Sequence, residues 1–206
     1  QLGIEKQSTN LPPPPANVSP ETDSELKTLV SYKALRTEET IRDITEEITL
    51  GTNLGGYPAA HSLDSEYFPK TARLFEDSFA DLGSFIMKWK YHYDRVRPHI
   101  LEPFIEPMIE VPGHPAYPSG HATQAYFIAY VMSEVRPEAR EELLKDATRI
   151  AKNREIAGVH YPSDSEAGRL LARQFADAFL VLPETTPLLE AARNEWVESE
   201  TSTTQP

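Results

Sequence analysis

Lys90 and Arg97, then Ser119-Gly120-His121, then Arg154, His160 and Asp164 are the residues of this chain whose types and order could do chemistry together. In KYHYDRVRP, residues 90–98, Lys90 and Arg97 stand seven positions apart. That is about two helical turns, so the spacing predicts that both cations share one helix face, where they could clamp an anion. A solvated basic helix end would read the same way, since Lys and Arg also complement the helix dipole. In PAYPSGHATQ, residues 115–124, Ser119 and Gly120 fall where a loop becomes a helix. Unpaired N–H groups at such a point form an anion site, and Gly120 admits close approach to the backbone. His121 would stand in that first turn; the alternative is a plain helix cap with its His in solvent. In NREIAGVHYPSD, residues 153–164, a carboxylate lies four residues after a His across a turn. Asp164 could accept the Nδ1–H of His160, which would fix the tautomer and present Nε2 as nucleophile or ligand. Asp164 or Ser163 as an ordinary N-cap, beside a His bonded locally, is the competing reading. Taken together, three cations, one helix N-terminus and two histidines suit a tetrahedral oxyanion, with one His attacking or ligating and the other protonating a leaving oxygen.

Helices must position these residues. Ser19-Pro20-Glu21 and Thr37-Glu38-Glu39 read as helix starts. Leu26, Leu29 and Val30 follow the first, and Ile41, Ile44 and Ile48 follow the second, as apolar faces. Gly51, Gly55 and Gly56 break the chain. Residues 63–94 predict one or two helices, with Phe75, Phe79, Leu82, Phe85 and Ile86 inward and Pro98 ending the run. Residues 99–118 are proline-rich loop with a short helical turn near Phe104. Helices are expected over 119–134, 137–157, about 164–181 and about 187–197, with Gly158 stopping the second of these. No strand alternation persists. The fold class is all-α, a compact single-domain helical bundle over residues 19–196. Residues 1–18, with four consecutive prolines, predict an extended arm, and 197–206 a flexible tail.

The bulk properties narrow the chemistry. The 206 residues are enough for one domain with a real core. A formal net charge of −12 argues against nucleic acid as the main partner and against an anionic membrane surface. A small anionic substrate remains open where cations are gathered locally. The chain has no cysteine, so disulfides, thiolate metal sites and Cys nucleophiles are excluded. No stretch reaches the ~20 apolar residues of a membrane helix. The chain opens on Gln1 rather than Met, which is expected of a processed form or of an engineered one.

K-x6-R-P, then P-S-G-H, then R-x5-H-x3-D, in that order over residues 90–164, resembles the three-part signature of the type 2 phosphatidic acid phosphatase superfamily. The layout, with Leu-Pro-Pro-Pro-Pro at 11–15 and a short helix after the last motif, is similar to its soluble branch, the bacterial class A non-specific acid phosphatases. The resemblance implies hydrolysis of small phosphate monoesters, with broad specificity. His160 would attack phosphorus and form a phosphohistidine, Asp164 would hold its tautomer, and His121 would protonate the leaving alcohol and then activate water. Lys90, Arg97, Arg154, Ser119 and Gly120 would bind the phosphate oxygens. Asn153 stands where the family usually has Ser, and its amide can still donate to an oxyanion. No cofactor is implied, because three fixed cations take the place a metal often holds. Vanadate would bind as a phosphate mimic. The resemblance also implies a periplasmic or secreted enzyme and a possible homo-oligomer.

The alternative is a vanadium-dependent haloperoxidase using the same pocket, with His160 as the vanadium ligand; HPAYPSGHATQ at 114–124 is similar to some of those enzymes, which are usually longer. A neutral His working beside a protonated one predicts a bell-shaped rate profile on the acid side of neutral, since free imidazole titrates near ~6.5. His92 and His99 could tune the first motif, and His114 could line the mouth. No partner is assigned to His61. Tyr93, Tyr117 and Tyr161 could wall the pocket or simply pack, and Trp89 and Trp196 read as partly buried.

Overall fold

The computed structural model describes residues 9–51, 57 and 65–203, and these form an all-helical bundle. Gly55, Gly56 and His61 lie outside the described residues. Ser19 caps α1 (Pro20–Ser31) by accepting from Thr22 N–H at 3.2 Å, and Thr37 caps α2 (Glu38–Glu46) by accepting from Thr40 N–H at 3.2 Å. Both starts follow from a hydroxyl placed to satisfy an orphan donor. A 3₁₀ turn, Glu47–Gly51, follows α2. Only Ile44 of the expected α2 face is buried; Ile41 and Ile48 are exposed, and Ile48 falls beyond the helix end at Glu46, in the tighter turn that no longer repeats at 3.6 residues.

Residues 69–93 form one long helix, α3 (Pro69–Tyr93), with Phe75, Leu82, Phe85 and Ile86 buried as the periodicity requires. Its N-cap residue, Phe68, has no capping side chain. Glu195 supplies the cap from elsewhere, accepting from Lys70 N–H and Thr71 N–H, each at 2.8 Å. The helix does not end at Pro98. It ends at Tyr93, with Asp94 in the left-handed region at φ 46°. Asp tolerates that conformation, and Pro98, with its fixed φ, instead opens the single turn α4 (Pro98–Leu101). A second short turn, Pro103–Ile105, falls at the expected place near Phe104.

The bundle is built around α5 (Gly120–Val135). Thirteen of its sixteen residues are buried, so it is apolar all round and must be enclosed. α6 (Arg140–Ile156) and α7 (Pro162–Leu180) pack on it most extensively, and α3 and α8 (Thr185–Thr203) complete the enclosure. Phe127 of α5 meets Phe75, Phe175 and Phe179 edge to face, with ring centroids 5.9, 5.3 and 5.6 Å away. α8 continues to Thr203, beyond residue 197 where a tail was expected. Trp89 and Trp196 are partly buried, as read from the sequence.

From residue 9 onward the proline-rich arm lies on the bundle. Leu11 is buried in the main core, its carbonyl accepts from Tyr93 Oη at 2.7 Å, and Pro12 O accepts from Tyr117 Oη. Thr9 Oγ1 accepts from Trp89 Nε1 at 3.0 Å. Prolines leave these carbonyls free to accept, because a polyproline segment makes no internal hydrogen bonds.

Gly168 is what lets α7 approach α5. A Cβ there would sit 2.8 Å from Ser119 O, 2.9 Å from Ala122 Cβ and 3.0 Å from Thr123 N, all at the start of α5. Gly168→Ala is therefore expected to destabilise the protein by about 1–3 kcal/mol, the range for overpacking a tight contact. The urea midpoint would read this, and a midpoint equal to wild type would show that the two helices have room to part.

Candidate active site

α7 begins directly after the third motif. Tyr161 is its N-cap and Pro162 its first residue, so Asp164 falls at the third position, where an acid reaches back to the cap. Asp164 Oδ2 accepts from Tyr161 N–H at 3.0 Å and meets His160 Nδ1 at 3.1 Å. Asp164 is thus not an ordinary N-cap, and neither is Ser163: Tyr161 holds that position, and the Asp164 carboxylate closes the capping box from the third position while meeting the histidine. On the other side of the ring, His160 Nε2 lies 3.2 Å from an Arg97 Nη1. A guanidinium only donates, so Nε2 offers its lone pair and the ring proton sits on Nδ1, facing Asp164. That is the tautomer in which Nε2 can attack or ligate.

Lys90 and Arg97 come together, but not on one helix face. Lys90 is in the last turn of α3, whereas Arg97 lies past the left-handed Asp94 in extended backbone. The chain's turn, rather than helical periodicity, aims both inward. Lys90 Nζ is buried and donates to the carbonyls of Pro115 and Ala116 at 2.8 and 3.1 Å. Arg97 donates to Val159 O at 2.7 Å and His114 O at 3.1 Å, and its other terminal nitrogen meets His114 Nδ1 at 3.1 Å. His114, expected at the mouth, is therefore a ligand of Arg97.

Ser119 caps α5 and is fully buried; its Oγ accepts from Ala122 N–H at 3.4 Å, which leaves its own O–H free to donate. Its N–H is used by Asp164 O at 3.0 Å, which ties the starts of α5 and α7 together. Gly120 and His121 are the first two residues of the helix, where N–H groups lack helical partners. A Cβ on Gly120 would meet only Ile86 Cγ2, at 3.8 Å. His121 is half-buried and its Nε2 lies 3.3 Å from the carbonyl of Ile48.

Arg154 stands in the last turn of α6 and is fully buried. One terminal nitrogen, Nη2, donates to Glu47 Oε2 at 2.7 Å and Ile44 O at 3.0 Å. Its Nε and Nη1 are buried without a protein partner among the described residues, so they are available to an oxyanion. Asn153 does not share that availability: its Nδ2 donates to both Glu47 oxygens, at 2.9 and 3.1 Å. The structure thus brings it to a carboxylate, where the sequence reading had put it on phosphate. An amide beside a buried carboxylate satisfies that acceptor first. Gly158 stops α6 at φ 78°, and the turn it makes delivers His160.

Three supporting residues escaped sequence reasoning. Arg95 is buried, donates to Asp164 Oδ1 at 2.6 Å and Ser163 Oγ at 2.7 Å, and stacks 3.8 Å over the Tyr161 ring. Glu25 of α1 accepts from Arg95 Nη2 at 2.8 Å and from Ser163 N–H at 2.6 Å. Glu47 gathers Arg149, Asn153 and Arg154. Arg95 lay inside the quoted KYHYDRVRP stretch, and a third cation there was a usable signal; the two glutamates were indistinguishable from their acidic neighbours.

Burial governs the electrostatics. It pushes the His160 pKa well down, with Arg97 and Lys90 adding to the effect, and it pushes His121 down to about 4, helped by Arg154. It also lowers Lys90 well below its ordinary value, with Arg97 adding. Asp164 is pushed up by burial and pulled back by Arg95 and the Tyr161 N–H. Arg95 and the Tyr161 N–H can only donate, and His160 Nδ1 carries its proton, so a proton on Asp164 would find no acceptor among these partners. The carboxylate is the form the geometry fits. Among the described residues no group of three or more His, Asp or Glu is placed to hold a metal ion.

Arg95→Met is expected to destabilise the fold by about 3–5 kcal/mol, the range for removing one partner from a buried ion pair. Glu25 and Asp164 would both lose their cation. Chemical denaturation measures this; a loss below about 1 kcal/mol would place the pair in the class of solvent-screened bridges.

The geometry invites comparison with known proteins. A family model described as the PAP2 superfamily matches residues 79–186, which contain all three motifs. The chain is 28% identical over 147 residues to a non-specific acid phosphatase of Providencia stuartii, covering 69% of this chain and 58% of that one. It is 27% identical over 178 residues to a non-specific acid phosphatase of Salmonella typhimurium, covering 81% of this chain and 70% of that one. An acid phosphatase of Zymomonas mobilis is 26% identical over 204 residues, covering 95% of this chain and 77% of that one. With more than half of the chain matched by the family model, and its three motifs folded into one buried cluster, the chain belongs to the PAP2 superfamily.

Proposed function

We propose that this chain is an acid phosphatase that hydrolyses phosphate monoesters through a phosphohistidine, without a metal. The observation that carries the reading is His160. Its Nε2 lone pair is exposed to Arg97 while Nδ1–H is held by Asp164, so a nucleophile sits beside a cation suited to the phosphoryl group it attacks. The free Nε and Nη1 of Arg154 and the first N–H groups of α5 add donors. The relatives' names supply the substrate class.

In the first step the Nε2–phosphorus bond forms as the ester P–O bond breaks in line. The departing oxygen takes a proton from His121. In the second, His121 takes a proton from water, the water oxygen bonds to phosphorus, and the N–P bond breaks to free inorganic phosphate. Lys90, Arg97 and Arg154 neutralise the phosphate oxygens, the role a bound metal ion fills in other phosphoryl-transfer sites. Ser119 Oγ donates its unused O–H. Asn153 acts through Glu47 rather than on the phosphate. Phosphate monoesters are the partners; no observation here favours the haloperoxidase reading. Among the described residues no helix is long and apolar enough to cross a membrane.

Hydrolysis of p-nitrophenyl phosphate with EDTA present tests the proposal. His160→Ala should lose about 10³-fold or more in kcat, as removal of a nucleophile does. Wild type that needs an added divalent metal, or a variant that keeps its rate, would overturn it. The pH profile is a separate test. His160 must be neutral, and its lowered pKa keeps it so into the acid range. His121 must be protonated, and its free-enzyme value of about 4 means that this fraction falls as pH rises. kcat/KM should therefore decline with rising pH before neutrality. Bound phosphate favours the imidazolium, so the alkaline limb of kcat should lie higher than that of kcat/KM. A kcat/KM still rising at alkaline pH would exclude this pair of roles.

A further inference from the structure

The 3₁₀ turn after α2 touches the site twice. Glu47, nearly fully buried there, takes Arg154 Nη2 on Oε2 at 2.7 Å, and Ile44 O takes the same nitrogen at 3.0 Å. Glu47 Oε1 accepts from Arg149 Nη1 at 2.6 Å, and both oxygens receive Asn153 Nδ2. One residue on, the carbonyl of Ile48 faces His121 Nε2. Every partner of the Glu47 carboxylate is a donor, so its acceptor capacity is filled and its position is fixed from three sides.

The consequence for Arg154 is geometric. Glu47 and Ile44 both take Nη2, the nitrogen shared by the two forked edges of the guanidinium. Nε and Nη1 are left unpartnered and buried. A guanidinium is planar and rigid, so pinning Nη2 fixes the directions of the two free donors. We propose that Glu47 is a positioning residue for phosphate: it holds Arg154 so that a free donor of its guanidinium, Nη1 or Nε, is presented to the bound phosphoryl group. The inference rests on the phosphatase reading above. A carboxylate near a phosphate site also repels the anion, so the two effects oppose each other. Glu47 meets Nη2 rather than the free donors and already carries two cations, Arg149 and Arg154, which mute that repulsion. Positioning therefore wins over repulsion.

Glu47→Gln keeps the shape and one acceptor but removes the charge that pins Arg154. Inorganic phosphate is the probe, titrated calorimetrically and as a competitive inhibitor, against wild type, Glu47→Gln, Arg154→Ala and the double variant. Far-UV circular dichroism and thermal midpoints accompany each protein, and Glu47→Asp stands in should the Gln variant not fold. The expected result is phosphate affinity weakened about 10–100-fold in Glu47→Gln, the range for losing a group that orients a ligand-binding side chain. The double variant should bind no more weakly than Arg154→Ala alone, because both changes act through the same guanidinium. A lowered thermal midpoint with phosphate affinity unchanged makes Glu47 merely structural and overturns the proposal. So does tighter phosphate binding, or losses that add in the double variant. Wild type that neither binds phosphate nor hydrolyses the ester would instead sink the phosphatase reading itself.

Discussion

The Asp164 carboxylate is the interaction on which the candidate site depends. Its two oxygens receive His160, Arg95 and the Tyr161 N–H, and its backbone carbonyl receives Ser119 N–H. One residue thereby fixes the tautomer of the proposed nucleophile, caps α7 and ties α7 to the start of α5. The contact is possible only because Gly168 lets the two helices close to backbone distance. A side chain there would push apart the helix N-terminus and the histidine that the proposed function sets to act on one phosphoryl group.

The cations are arranged by the same economy. Lys90 and Arg97 are held by backbone carbonyls, Arg95 and Arg154 by carboxylates. Burying so much charge is unfavourable in itself, and the compensation is that the donors need no reorganisation when an anion arrives. A chain with a net charge of −12 can thereby carry a locally positive cluster: the cations are concentrated inside, where water screens them least.

Much of this was legible in the sequence because it is local. The His160–Asp164 pair spans four residues across a turn, and Ser119 opens a helix by the same rule that Ser19 and Thr37 follow. The apolar register of α3 follows from periodicity, and the enclosure of α5 from a run that is apolar on every face. Where local reasoning failed, a backbone turn or a distant acceptor decided. Lys90 and Arg97 do not share a helix face, because Asp94 turns left-handed before Pro98 can end the helix. Asn153 is paired by Glu47, which lies 106 residues earlier in the chain.

By itself, then, the sequence determined the helical class, the order of the motifs and the caps of α1, α2 and α5, since each rests on short-range spacing and side-chain chemistry. Only the tertiary structure decided which glutamates of an acidic chain are buried as counter-ions, that Arg95 backs Asp164, and which donors of Arg154 stay free. Those outcomes are set by long-range packing, where a buried charge must find its partner wherever the fold brings one within hydrogen-bond reach.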